Sequence, residues 1–121
     1  MGKKDKPIVV HSFDDFKLNK KHRKGFAKEL KKAEAGGDPR AWEQVGASYM
    51  VGLGVERDSD KAYECFQKCE VRAGWWESLG FNYSCGLGCE INMDRAVECY
   101  RKAAAMGNED AKAALNELGI Q

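Results

Sequence analysis

From residue 38 onward, apolar side chains return every three or four positions, the step at which successive turns of an α-helix show the same face. Ala41, Trp42, Val45, Tyr49 and Met50 make one such stripe and predict a helix from Asp38-Pro39 to about Val51, with Asp as cap and Pro in the first turn. Gly52-Leu53-Gly54 breaks it. Asp58-Ser59-Asp60 then opens a second helix whose stripe is Ala62, Cys65, Phe66 and Cys69. Three further helices are predicted over Trp75–Cys85, Met93–Met106 and Asn108–Leu118. Ahead of them, residues 1–11 carry no period and read as a flexible tail. Ser12, with Asp14 and Asp15 behind it, starts a helix that should reach Ala35 and close at Gly36-Gly37. Phe13 and Phe16 lie on one stripe of that helix and Phe26, Leu30 and Ala33 on another, and Gly25 between them is expected to bend or break it. The pattern is all-α.

The helices repeat. Trp42-Glu43-Gln-Val-Gly46-Ala-Ser-Tyr49-Met-Val-Gly52-Leu-Gly54 returns 34 positions later as Trp76-Glu77-Ser-Leu-Gly80-Phe-Asn-Tyr83-Ser-Cys-Gly86-Leu-Gly88, and Lys61-Ala62 through Lys68 recurs as Arg95-Ala96 through Lys102. A fixed period of this size is the mark of a stacked repeat architecture. Gly46 and Gly80 each cost about 1 kcal/mol inside a helix relative to Ala, so a second backbone should approach there. Ala62 and Ala96 are small where two helices must cross closely. The first helix matches the spacing of a second-helix element without its partner, and the last matches a first-helix element, so half repeats flank two full ones.

The order Val/Leu-Gly-x-x-Tyr-x-x-Gly-x-Gly, then Asp, then Lys-Ala-x-x-x-aromatic-x-Lys resembles the Sel-1-like repeats, relatives of the tetratricopeptide repeats, over about residues 26–119. The resemblance implies a short right-handed α/α solenoid of about two and a half repeats, spanning 38–74 and 75–107 with a capping helix at 108–118, preceded by a basic segment over 12–37. It also implies a concave face lined by the first (A) helix of each repeat, a convex face of second (B) helices, and an adaptor or scaffold role. Two departures stand out: Glu70 to Gly74 is one residue longer than the matching stretch before Gly107, and bulky Trp75 replaces the usual small alanine.

Charge adds a second theme. Residues 1–33 hold eleven Lys/Arg and four Asp/Glu, a net of +7, while residues 34–121 hold nine and fifteen, a net of −6. A basic arm is thus joined to an acidic body, which makes nucleic acid or an anionic membrane surface an alternative partner through Lys17, Lys20, Lys21, Arg23, Lys24, Lys28, Lys31 and Lys32. The bland reading of the same charges is a solvated helix face. No run of 18 apolar residues is present, and the N-terminal Met-Gly-Lys-Lys-Asp-Lys with only Ile8-Val9-Val10 behind it lacks a signal-peptide core. With an odd count of five cysteines, the expected setting is cytoplasmic.

No catalytic set emerges. His11 and His22 both lie in the basic arm without a nucleophile at a suitable spacing, and Gly52-Leu53-Gly54 lacks the strand and Gly-Lys-Ser/Thr of a phosphate loop. No motif calls for a cofactor. Cys65/Cys69 and Cys85/Cys89 form two C-x3-C pairs that leave a metal or redox role open as a weaker alternative, but the repeat alignment puts Cys85 on Val51, Cys89 on Val55 and Cys69 on Ala103, positions that read as packing. Tyr49 and Tyr83 read as structural. Trp42 and Trp76, with Glu43 and Glu77 beside them, are the expected contact residues for a protein or peptide partner on the A-helix face, because tryptophan anchors dominate many interfaces. A homodimer through the half repeats is a second option for the partner.

Overall fold

A computed structural model describes the backbone of residues 13–120 and the side chains of residues 19–120. The expected flexible tail, the Ser12 cap and the stripe of Phe13 and Phe16 lie outside the described residues or side chains. Over the described residues the chain is all-helical, with α1 at Phe13–Ala35, α2 at Ala41–Val51, α3 at Ser59–Phe66, α4 at Ala73–Cys85, α5 at Met93–Ala105 and α6 at Glu109–Glu117. Consecutive helices pack on one another, α2 on α3 and α4 on α5 most extensively, with α1 and α6 closing the two ends. This is the α/α solenoid, with α2, α4 and α6 as A helices and α1, α3 and α5 as B helices.

The two copies are built with the same devices. Asp58 caps α3 by accepting from the Lys61 N–H at 3.0 Å, and Asn92 caps α5 by accepting from the Arg95 N–H at the same distance. Both A helices end at a glycine in the left-handed conformation, Gly52 at φ 78° and Gly86 at φ 77°. A Cβ on Gly46 would stand 2.5 Å from the Phe66 ring, and one on Gly80 would stand 3.0 Å from the Tyr100 ring. Each glycine therefore lets an aromatic of helix B lie directly on the backbone of helix A. Ala62 and Ala96, fully buried, occupy the helix crossings.

One continuous core runs from Met50 through Phe66, Trp76, Leu79, Tyr83 and Tyr100 to Leu115, and a smaller one, formed by Ala33, Ala41, Val45 and Cys65, sits under α1. A buried polar cluster ties the repeats together. Asn82 donates from Nδ2 to the Met50 carbonyl at 3.0 Å and to Ser59 Oγ at 3.3 Å, Ser59 Oγ donates to the Leu87 carbonyl at 2.7 Å, and Tyr83 Oη donates to Asp60 Oδ1 at 2.8 Å. Across the B helices, rungs form between residues 35 apart: Tyr63 Oη donates to Glu98 at 2.6 Å, Lys102 to Gln67 at 2.9 Å and Arg95 to Asp60 at 3.0 Å.

Three local expectations are corrected. Helix α1 runs unbroken through Gly25, because packing pins it further along: Phe26 meets the Tyr49 ring edge-on at 5.2 Å and the His22 carbonyl lies against Gly54. Helix α2 begins at Ala41 rather than at Asp38, because the Asp38 carboxylate accepts from Arg40 N at 2.9 Å and its carbonyl from Ala41 N at 3.1 Å, closing a turn ahead of the helix. Helix α3 stops at Phe66, so Cys69 lies in the connection to α4, where buried Val71 turns into the core. The extra residue noted in that stretch is absorbed by ending α3 early and starting α4 at Ala73.

Candidate protein-binding surface

The four residues expected to contact a partner do not share one environment. Trp76 is 6% exposed and packs edge-on against Phe66 and Tyr63, with centroids 5.6 and 6.2 Å away. Glu43 is 4% exposed; its Oε2 accepts from Arg72 N at 3.1 Å and Arg72 Nε at 3.2 Å, and its Oε1 from Nη2 at 3.4 Å. Neither is open to a partner. Both hold repeat 1 to repeat 2, Trp76 through the aromatics of α3 and Glu43 through Arg72 at the start of α4. Trp42 and Glu77 remain half-exposed.

Trp42 stands under Lys68, whose Nζ lies 4.0 Å from the ring centroid, and the second copy places Lys102 Nζ 4.4 Å from Trp76. Trp42 and Arg72 line a cleft of about 780 Å³ near the N-terminal ends of α2 and α4, together with Lys68 and Cys69. Within it Glu43 and Arg72 are paired with each other. A second groove, about 320 Å³, lies between α2 and α4 and is lined by Met50, Val51, Arg57, Trp75, Glu77 and Phe81, among others. Here Phe81 is 51% and Val51 48% exposed. Two large apolar side chains thus stay in water along one groove on the A-helix side.

Phe81, Val51 and Arg57 are absent from the expected contact residues, and Trp75 stands out in the sequence only as a departure from the repeat. A signal was present: Phe81 stands where the first copy has Ala47, so a bulky residue replaces a small one without a compensating change in the aligned stripe. Glu77 and Phe81, four residues apart, share a face of α4. Burial, and after it the nearby Asp110 carboxylate, raise the Glu77 pKa above the ordinary carboxylate value.

Two segments, residues 43–68 and 78–108, match the model of the Sel1 repeat. The chain carries Sel1 repeats. A crystal structure of a Sel1 repeat protein from Oxalobacter formigenes is similar, with a TM-score of 0.59 and 31% identity over 84% of this chain. The matched region spans 43% of that protein's length. No match is found among curated proteins. Sel1 repeats are generally protein-interaction modules.

The thiols divide by depth. Cys65 and Cys99 are buried, as expected, and burial pushes their pKa to about 11 and about 12. Cys85, expected to pack, is exposed at the C-terminal end of α4. Cys69 and Cys89 are half-buried, and burial raises both. Among the described residues no three His, Cys, Asp or Glu side chains come together as a metal site, and no helix is long and apolar enough to cross a membrane.

On α1, Lys20, Lys21, Arg23, Lys24, Lys28, Lys31 and Lys32 are exposed; the Lys17 side chain lies outside the described ones. At 100° per residue, Lys20, Lys21, Lys24, Lys28, Lys31 and Lys32 fall within an arc of about 120°, opposite Phe26, Leu30 and Ala33. Lys32 is partly engaged, 3.4 Å from Glu29 and 3.6 Å from Asp38.

Proposed function

We propose that this chain is a non-enzymatic protein-binding module, an adaptor or scaffold, whose contact surface is the groove between α2 and α4. The observation that carries this is the half-exposed pair Phe81 and Val51, two large apolar side chains that line that groove and stay in contact with water. An interface anchor needs a large side chain that a partner can desolvate, and Phe81 meets that need where Trp76 does not. Affinity capture with the immobilised chain tests it. Partners recovered by the native protein should be lost with Phe81→Asp and kept with Lys28→Gln/Lys31→Gln; unchanged recovery on a folded Phe81→Asp protein sinks the groove. A native mass measurement on the same sample reads a homodimer directly.

A second reading is favoured by the unbroken α1, which aligns six lysines on one stripe. It is binding to a polyanion, nucleic acid or anionic lipid, through the convex end. Against a generic duplex, log affinity should fall with log salt at roughly −0.9 per phosphate neutralised. Absence of binding at low salt ends this reading.

A further inference from the structure

We propose that the groove between α2 and α4 takes a peptide segment in which one large apolar side chain is flanked by an arginine on the Glu77 side and a carboxylate on the Arg57 side. This rests on the protein-binding reading and names what the partner must carry. The repeat itself supplies the template. In repeat 1, Glu43 is neutralised from within: Arg72, the residue capping α4, donates its backbone N–H, Nε and Nη2 to the two carboxylate oxygens at 3.1 to 3.4 Å. Glu77 occupies the same place on α4, but the residue capping α6 is Asn108, whose side chain is committed to the Ala111 N–H at 2.8 Å. Asp110, in the first turn of α6, adds a second negative charge nearby. Among the described residues Glu77 forms no ion pair, whereas Glu43 does. The second copy therefore lacks the guanidinium that the first copy holds, at a position open to a partner.

The other end of the groove carries the opposite charge. Arg57 is exposed and also forms no ion pair among the described residues. Its stem lies against Gly88, where an added Cβ would come 2.5 Å from Cγ, so the side chain is anchored at the C-terminal end of α4. Glu77 is near the N-terminal end of that helix, about 12 Å away at 1.5 Å per residue. Val51, Trp75 and Phe81 form the apolar floor and edges between them. An extended segment rises about 3.3 Å per residue, so the arginine and the carboxylate should stand about four residues apart with the apolar residue between. Arginine fits better than lysine because the template pair uses a planar fork of donors.

A displayed random-peptide library selected on the immobilised full chain tests this. The native protein should enrich peptides with an arginine and an Asp or Glu about four residues apart around a large apolar residue. Glu77→Gln should erase the arginine preference and leave the apolar one, Arg57→Gln should erase the acidic preference, and one synthetic enriched peptide should bind Glu77→Gln about tenfold more weakly, a loss of ~1.4 kcal/mol. Circular dichroism melts confirm that each variant folds, with Phe81→Ser standing in for Phe81→Asp if the latter melts early. Arginine enrichment that survives in Glu77→Gln, or enriched peptides without a base, overturns the proposal while leaving protein binding intact. Failure to enrich any sequence over the Phe81 variant sinks both.

Discussion

Single residues separate the two copies more than their alignment suggests. Trp42 and Trp76 are the same residue in the same motif, each with a lysine over its ring, yet one is half-exposed and the other is core. Trp76→Ala should cost about 3–5 kcal/mol of unfolding free energy, in the range for emptied aromatic core sites, and Trp42→Ala much less. Urea denaturation of both variants checks the ordering. The glycines give a finer test. A Cβ on Gly46 would meet the buried Phe66 ring at 2.5 Å and Cys65 Cβ at 3.1 Å, while one on Gly80 meets Tyr100 at 3.0 Å. Gly46→Ala should therefore destabilise by about 1–3 kcal/mol, despite the better helix propensity of alanine, and Gly80→Ala by less. Equal effects in the same denaturation series would contradict the geometry.

At the scale of the helices, local chemistry was legible and boundaries were not. The caps Asp58 and Asn108 could be read directly, since a short polar side chain ahead of an apolar stripe has one obvious use, whereas Asn92 reads as the end of a loop and proves to be a cap. Asp38 had the same appearance and closes a turn instead, because the Pro39-Arg40 link lets its carboxylate reach Arg40 N. The end of α3 was equally hidden: Cys69 continues the apolar stripe, but Val71 and the Glu43–Arg72 bond pull the chain away from helix α3. A lost cap should loosen a short helix more than a long one. Asp58→Ala removes the cap of an eight-residue helix and Asn92→Ala that of a thirteen-residue one. Each should cost about 1 kcal/mol in global stability. Amide exchange should show α3 fraying further than α5, an outcome that equal protection in the two helices would rule out.

Over the whole molecule, the buried thiols make stability depend on alkaline pH. Burial raises Cys99 from 9.0 to about 12 and Cys65 from 9.0 to about 11, so the folded chain holds these protons more tightly than the unfolded one. Their contribution is complete below pH 9 and is lost as pH rises toward 12. The denaturation midpoint should fall across that window, and Cys99→Ala should flatten the fall; an unchanged slope would remove the thiol as its cause. What the sequence by itself determined was the architecture: a 34-residue period, stripes of apolar residues and paired glycines can satisfy one another only by stacking helix on helix. Which tryptophan, glutamate or cysteine ends up inside depends on what the neighbouring repeat places against it. That neighbour is set by contacts between residues about 30 apart, such as Glu43 with Arg72 and Tyr63 with Glu98, and helical periodicity describes only one face of one helix at a time. The exposure of Phe81 and Glu77, on which the proposed binding surface rests, was decided by tertiary packing.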